Sequence, residues 1–191
     1  MIIAIGCSPN ELILLCGGTL IKNAKKDDSD IIIILANNPD LKKKSTIQEL
    51  IGKIKIKTHI VDDFDLCTIT QNNVNLIQGI IKKYNPDTII IPYNKSKKKE
   101  NRILGASSIL AGRQIPNILM YEMSEKSDFS PTVFQDIKDV NEIKNKWLYS
   151  LDATQKDRSK KILDAFNKTN KKYKLNLNFI EPYQSFRLVF D

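Results

Sequence analysis

Histidine is almost missing from this chain: His59 is the one imidazole in 191 residues. A zinc site built on imidazoles needs two or three, so a His-rich metal centre is excluded at once. Cysteine is scarce too. Cys7, Cys16 and Cys67 are odd in number and scattered, giving neither a disulfide framework nor zinc-ribbon spacing. Arginine occurs only at Arg102, Arg113, Arg158 and Arg187, so lysine carries most of the net charge of +8. Without guanidinium forks and interleaved aromatics, that charge reads as a solvated basic surface rather than a nucleic-acid footprint. No apolar run approaches the roughly 20 residues of a membrane-spanning helix. The first residues lack the charged start and small-residue cleavage site of a signal peptide. These absences together predict a cytoplasmic protein with no membrane insertion.

What is present is a chain 41% hydrophobic, with apolar runs spread from end to end. No internal repeat or linker interrupts them, which predicts one globular α/β domain over residues 1–191. The organising stretch is 2–20, IIAIGCSPNELILLCGGTL. A short apolar run ends at Gly6, a polar turn comes next, and a helical pattern begins: a buried strand, a tight turn and a helix. In open α/β sheets ligands collect at such strand ends.

Further strands are predicted near 31–35, an unbroken β-branched run of the kind buried on both faces of a parallel sheet, and near 56–61 and 88–92. Others fall near 118–123 and near 177–180 or 186–190. Helical spacing marks 11–26, a short helix near 46–51, and 72–83 with Val74, Ile77, Ile80 and Ile81 on one face. A helix begins around Arg102, with Leu104, Ser108 and Ala111 on one side, and 156–174 reads as a basic amphipathic helix. His59 shares a strand face with Lys55 and Lys57 and reads as an exposed strand histidine. Cys7 is expected to face the core, because neighbouring extended residues point to opposite faces. Cys16 reads as a small packing residue of the first helix.

The order and spacing of several motifs resemble the LmbE-like (PIG-L) zinc-dependent de-N-acetylases. Pro9 and Gly17-Gly18-Thr19 fall where that family has Ala-His-Pro-Asp-Asp-Glu and its Gly-Gly-Thr helix entry. Lys98-Lys99-Glu100-Asn101-Arg102 falls on its His-x-Asp-His-Arg. Asn117 to Met123 is similar to its strand ending in Tyr-Glu, Pro131 to Ile137 to its Pro-x-x-x-x-Asp-Ile segment, Lys144 to its lysine helix, and Glu181 to Val189 to its closing strand. The resemblance implies a Rossmann-like, mostly parallel sheet with helices on both faces.

By the same resemblance Ser8, Glu11 and Asn101 stand at the three metal-ligand positions, and Asn10 stands at the base. Lys98 stands at the histidine that assists the transition state, Glu100 at its orienting Asp. Asn37 lies in the loop that closes over the site, and Asn37 and Arg102 are the candidate substrate contacts. The chemistry-bearing types have changed. Catalytic zinc wants three strong donors, and a hydroxyl, a carboxylate and an amide supply one. Asn10 has no basic lone pair at neutral pH.

The leading expectation is a catalytically inactive member of this fold, with no cofactor, binding a small molecule of sugar or sugar-nucleotide type. A homo-oligomer is compatible with it. The first alternative is an active N-deacetylase on an N-acyl amino sugar, using zinc or a non-standard site around Glu11, Glu100 and Lys98. The second is a basic subunit that docks an acidic partner. The lysine run at 95–99 reads either as a solvated loop or as a positive rim able to attract an anionic ligand.

Overall fold

The computed structural model describes residues 1–25, 31–36, 56–61, 63–122, 127–151, 173 and 179–189. Five strands form the parallel part of the sheet: β1 (Ile2–Gly6), β2 (Ile31–Leu35), β3 (Ile56–Ile60), β4 (Thr88–Pro92) and β5 (Asn117–Tyr121). Two more, β6 (Val133–Asp136) and β7 (Ile180–Arg187), complete a seven-stranded sheet ordered β3-β2-β1-β4-β5-β7-β6. β7 runs antiparallel to both β5 and β6. The described helices are α1 (Pro9–Ala24), α2 (Gln71–Tyr84), α3 (Lys99–Ala111) and α4 (Asn141–Leu151).

Isoleucine makes this sheet. In β2 every residue of Ile31-Ile32-Ile33-Ile34-Leu35 is buried, as a parallel strand covered on both faces requires. Alternation then divides the core. Ala4, Ile31, Ile33, Leu35 and Ile90 face α1 and α4, with Leu12, Leu15, Trp147 and Leu148. Ile3, Ile5, Ile32, Ile34, Ile89 and Ile91 face α2 and α3, with Val74, Ile77, Ile81 and Leu104. The register Ile2↔Ile31 and Ile2↔Thr88 keeps the central strands level, so their carboxyl ends open on one edge.

The helix boundaries have local causes. Extended Ser8 precedes Pro9, whose fixed φ suits a first helical position. Thr70 caps α2 by accepting from the Asn73 amide at 3.1 Å, and Asn85 ends it in the left-handed region at φ 45. No described helix is long and apolar enough to cross a membrane.

The observed sheet is the Rossmann-like, mostly parallel one expected. Two elements at its antiparallel end differ from expectation. β6 is not foreseen from the sequence, because its residues are only half-buried and carry no alternation. The closing strand, expected at 177–180 or 186–190, lies instead at Ile180–Arg187, spanning the polar stretch between them. The expected helix at 46–51 and Asn37 fall outside the described residues, and so does the helix at 156–174 except for Tyr173, which lies in a turn.

Candidate functional site

β1 and β4 are neighbours, but their crossovers diverge. From β1 the chain passes through α1 to β2 on one side, and from β4 it passes through α3 to β5 on the other. α1 and α3 lie on opposite faces of the sheet. That reversal is the topological switch point, where an open α/β sheet leaves a crevice beyond the strand ends. The turns after β1 and β4 form its walls.

Glu11 comes from the first turn of α1 and is 4% exposed. Lys98 is the N-cap residue of α3, and Asn101 lies in that helix's first turn. Across the crevice, the Lys98 ammonium donates to Glu11 Oε2 at 2.9 Å. The Asn101 Nδ2 donates to Glu11 Oε1 in a buried hydrogen bond. A carboxylate only accepts, so this contact fixes which end of the Asn101 amide faces Glu11. The other end, Asn101 Oδ1, is buried and has no partner among the described residues. A buried polar atom left so costs about 1–3 kcal/mol, which marks it as a place for a donor.

The carboxylate suits the positive end of α1, whereas a lysine at the start of α3 opposes that helix's dipole. Lys98 is tolerable there because Glu11 faces it. Burial alone would lower the Lys98 pKa, but the hydrogen bond and charge of Glu11 outweigh it and hold the ammonium above its ordinary value. Cys7, against the same wall, is driven the other way. Burial pushes its thiol up to about 12, so it is an inert core residue rather than a thiolate ligand.

Two features hold α3 in place for these contacts. A Cβ on Gly105 would lie 2.3 Å from the Pro92 carbonyl oxygen, so only glycine lets the helix lie this close to the exit of β4. The Arg102 guanidinium donates to the Ser96 carbonyl at 2.8 Å, and the hydroxyl of the buried Ser96 accepts from the Lys98 amide at 3.3 Å. Arg102, a candidate substrate contact, is thus engaged in bracing the lysine loop. Lys95, Lys97 and Lys99 are exposed around it.

The structure brings Lys98 and Asn101 each into direct contact with Glu11. Ser8 precedes them at the start of α1; it is half-buried and its side chain caps no amide. Asn10 and Glu100 are half-buried in the first turns of the same two helices. His59 is only partly exposed: it lies on the edge strand β3, two strands from β1, with its Nε2 2.8 Å from the Tyr84 hydroxyl.

A second polar cluster is one that sequence reasoning missed. Glu181, on β7, is fully buried. Its Oε1 accepts from the Gly18 amide and from Lys144 Nζ, both at 2.7 Å. Its Oε2 accepts from the Thr19 amide at 2.7 Å and the Thr19 hydroxyl at 2.6 Å. Tyr183 donates to the Thr19 hydroxyl at 2.8 Å. A Cβ on Gly18 would lie 2.6 Å from Ile137, so the glycine pair admits both the carboxylate and the isoleucine. The available signal was Lys144, which sits on the apolar stripe of Val140, Trp147 and Leu148.

The zinc ion implied by the resemblance can be tested against these residues. The three positions offer a hydroxyl, one carboxylate and one amide whose nitrogen already faces that carboxylate. A cation bonded to Glu11 would also meet the Lys98 ammonium beside the same group. Two unit charges about 4 Å apart repel by about 4 kcal/mol at an effective dielectric of 20, and a divalent ion doubles that. Among the described residues no group of three His, Cys, Asp or Glu gathers that could hold a metal. The donor set does not fit zinc.

No protein-family model matches the sequence, and no curated protein does. Solved structures do. A conserved protein of Thermus thermophilus is 13% identical, with a TM-score of 0.81 over 100% of this chain and 96% of that one. The N,N'-diacetylchitobiose deacetylase of Pyrococcus horikoshii is 14% identical, with a TM-score of 0.78 over 97% of this chain and 83% of its own. The 4-carboxy-2-hydroxymuconate hydratase of Pseudomonas putida is 10% identical, with a TM-score of 0.78 over 99% and 98%. The fold is that of the LmbE-like deacetylases. At such identities the likeness extends to the fold alone, and a deacetylase and a hydratase sharing it do different chemistry.

Proposed function

We propose that this chain uses the LmbE-like deacetylase fold as a non-catalytic binding protein. Its strand-end crevice holds a small polar ligand of sugar or sugar-nucleotide type. The observation that carries the reading is the condition of Glu11, the one carboxylate at the three ligand positions, which is engaged by Lys98 on one oxygen and Asn101 on the other. Hydrolysis of an amide needs an activated water and a group to take its proton. Asn10 stands where the base would be and offers an amide. Away from a metal, water keeps its weak bulk acidity, and a carboxylate cannot draw a proton from it readily.

The frame of the strand-end crevice does not rest on the catalytic groups. Its walls are built from apolar strand ends, two helix starts and the close approach allowed by Gly105, none of which depends on catalysis. The sugar-type ligand is an analogy to the chitobiose deacetylase that shares the fold.

The test is direct. Purified protein, incubated with and without added zinc, is assayed for acetate release from N-acetylglucosamine and N,N'-diacetylchitobiose, and its metal content is measured. No stoichiometric zinc and no acetate are expected. Metal-dependent acetate release would overturn the reading.

A further inference from the structure

We propose that the crevice selects a polyol bearing an anionic group, of which a sugar phosphate is the simplest form. The anion is held by Lys98 and the start of α3, and a neighbouring hydroxyl donates to Asn101 Oδ1. The inference rests on the binding reading above and names the ligand class for the same site.

Three observations converge on it. The first is the unfinished coordination of Lys98. An ammonium carries three donors, and Glu11 takes one; the side chain is 41% exposed at the crevice. The second is the start of α3. This helix of 13 residues has no side-chain cap, and the Lys99, Glu100 and Asn101 amides of its first turn meet no acceptor among the described residues. Uncommitted amides at a helix N-terminus, next to an ammonium, form an anion site.

The third is independent of charge. Asn101 is 3% exposed and its side chain reaches across the crevice to Glu11, yet its Oδ1 has no partner among the described residues. Because Glu11 takes the amide nitrogen, the group left over is an acceptor. It calls for a hydroxyl, not for a second anion. A bare anion would leave Asn101 unsatisfied, and an uncharged polyol would leave Lys98 and the helix start unsatisfied. A ligand with both groups on adjacent carbons answers all three.

The charge of the loop leading into α3 favours the same class. Lys95, Lys97, Lys98, Lys99 and Arg102 fall within eight residues that contain one carboxylate, Glu100. Lys95, Lys97 and Lys99 are exposed and steer an anion toward the crevice. Glu11 and Lys98 balance each other, so the net positive charge of the loop comes from Lys95, Lys97, Lys99 and Arg102 against Glu100. The part of Glu11 is to hold the ammonium and the amide in position.

Calorimetric titration of the full chain at low salt with glucose 1-phosphate, glucose and inorganic phosphate tests the proposal. Glucose 1-phosphate should bind about tenfold or more tighter than either of the others, the effect of one further charge-assisted hydrogen bond. 2-Deoxyglucose 1-phosphate, which lacks the hydroxyl beside the phosphate, should bind about five- to tenfold more weakly on the unaltered protein. Lys98→Met should remove most of the advantage of glucose 1-phosphate over glucose, and an advantage left undiminished would overturn the proposal. If that variant fails to fold, the salt dependence of the wild-type affinity serves instead, and it should be present for glucose 1-phosphate and absent for glucose.

Equal affinity for phosphate and glucose 1-phosphate would overturn the proposal in favour of a plain anion site. No advantage of glucose 1-phosphate over glucose, or no binding by any probe, would overturn it too. Metal-dependent acetate release from the N-acetylated sugars, with these affinities intact, would sink the non-catalytic reading and leave the ligand class standing.

Discussion

Helix α1 takes part in two lysine–glutamate pairs of nearly the same length and opposite meaning. Near its middle, Gly18 and Thr19 embrace Glu181, which is paired with Lys144 at 2.7 Å, the lysine side chain being 7% exposed and the glutamate 0%. At its start, its own Glu11 pairs with Lys98 at 2.9 Å, with exposures of 4% and 41%. The inner pair has a full set of partners: two amides, a hydroxyl and an ammonium surround the carboxylate. It ties α1, α4 and β7 together and leaves nothing for a ligand. The outer pair is incomplete, with ammonium donors and an amide oxygen still to be answered. Completeness of hydrogen bonding, not distance, separates a structural charge pair from one that can recognise something.

Lys144→Met should widen that contrast most. It strands Glu181 in the core, and removing one partner of a buried pair costs about 3–5 kcal/mol. Urea unfolding should show the loss, and the double variant Lys144→Met with Glu181→Gln should recover part of it. A loss as small as that of a surface pair would mean that water reaches Glu181.

Gly105→Ala and Gly18→Ala should each cost about 1–3 kcal/mol through overpacking, more than the roughly 1 kcal/mol that alanine gains in a helix. Their consequences differ. Gly105→Ala pushes α3 off the exit of β4 and should weaken any ligand of the crevice, whereas Gly18→Ala meets Ile137 and should lower stability alone. Unfolding and binding measured together separate the two.

Lys98→Ala should cost about 1–2 kcal/mol, between the values for exposed and buried pairs. Its pH dependence has a definite sign. The folded state holds the Lys98 pKa above the unfolded value, so the stability from this pair is complete below about pH 10.4 and is lost as pH rises through the raised folded value. The difference in stability between wild type and variant should be flat from neutral to mildly alkaline pH and close above it.

The smallest effect belongs to His59. Burial, then Lys83 and Lys57, lower its pKa, so the fold favours the neutral ring. Stability should fall as pH drops from about 6.5 through the lowered folded value, and His59→Gln should flatten that slope. A slope unchanged by the substitution would assign it to the carboxylates.

The sequence by itself determined the parallel sheet and the kinds of donor that stand at the strand ends. Runs such as Ile31 to Leu35 have no polar face to expose, so they must be covered on both sides. The identities of Ser8, Asn10 and Asn101 settle their donor strength wherever the chain carries them. Only the tertiary structure decided how the polar residues pair. Lys98 and Glu11 are 87 residues apart, and Lys144 and Glu181 are 37 apart. Local periodicity reads a charged residue as exposed, which is why the stretch around Glu181 reads as a gap between two strands. A charge is buried only when its partner arrives from another element, and that arrival is set by the packing of α1 between the sheet and α4.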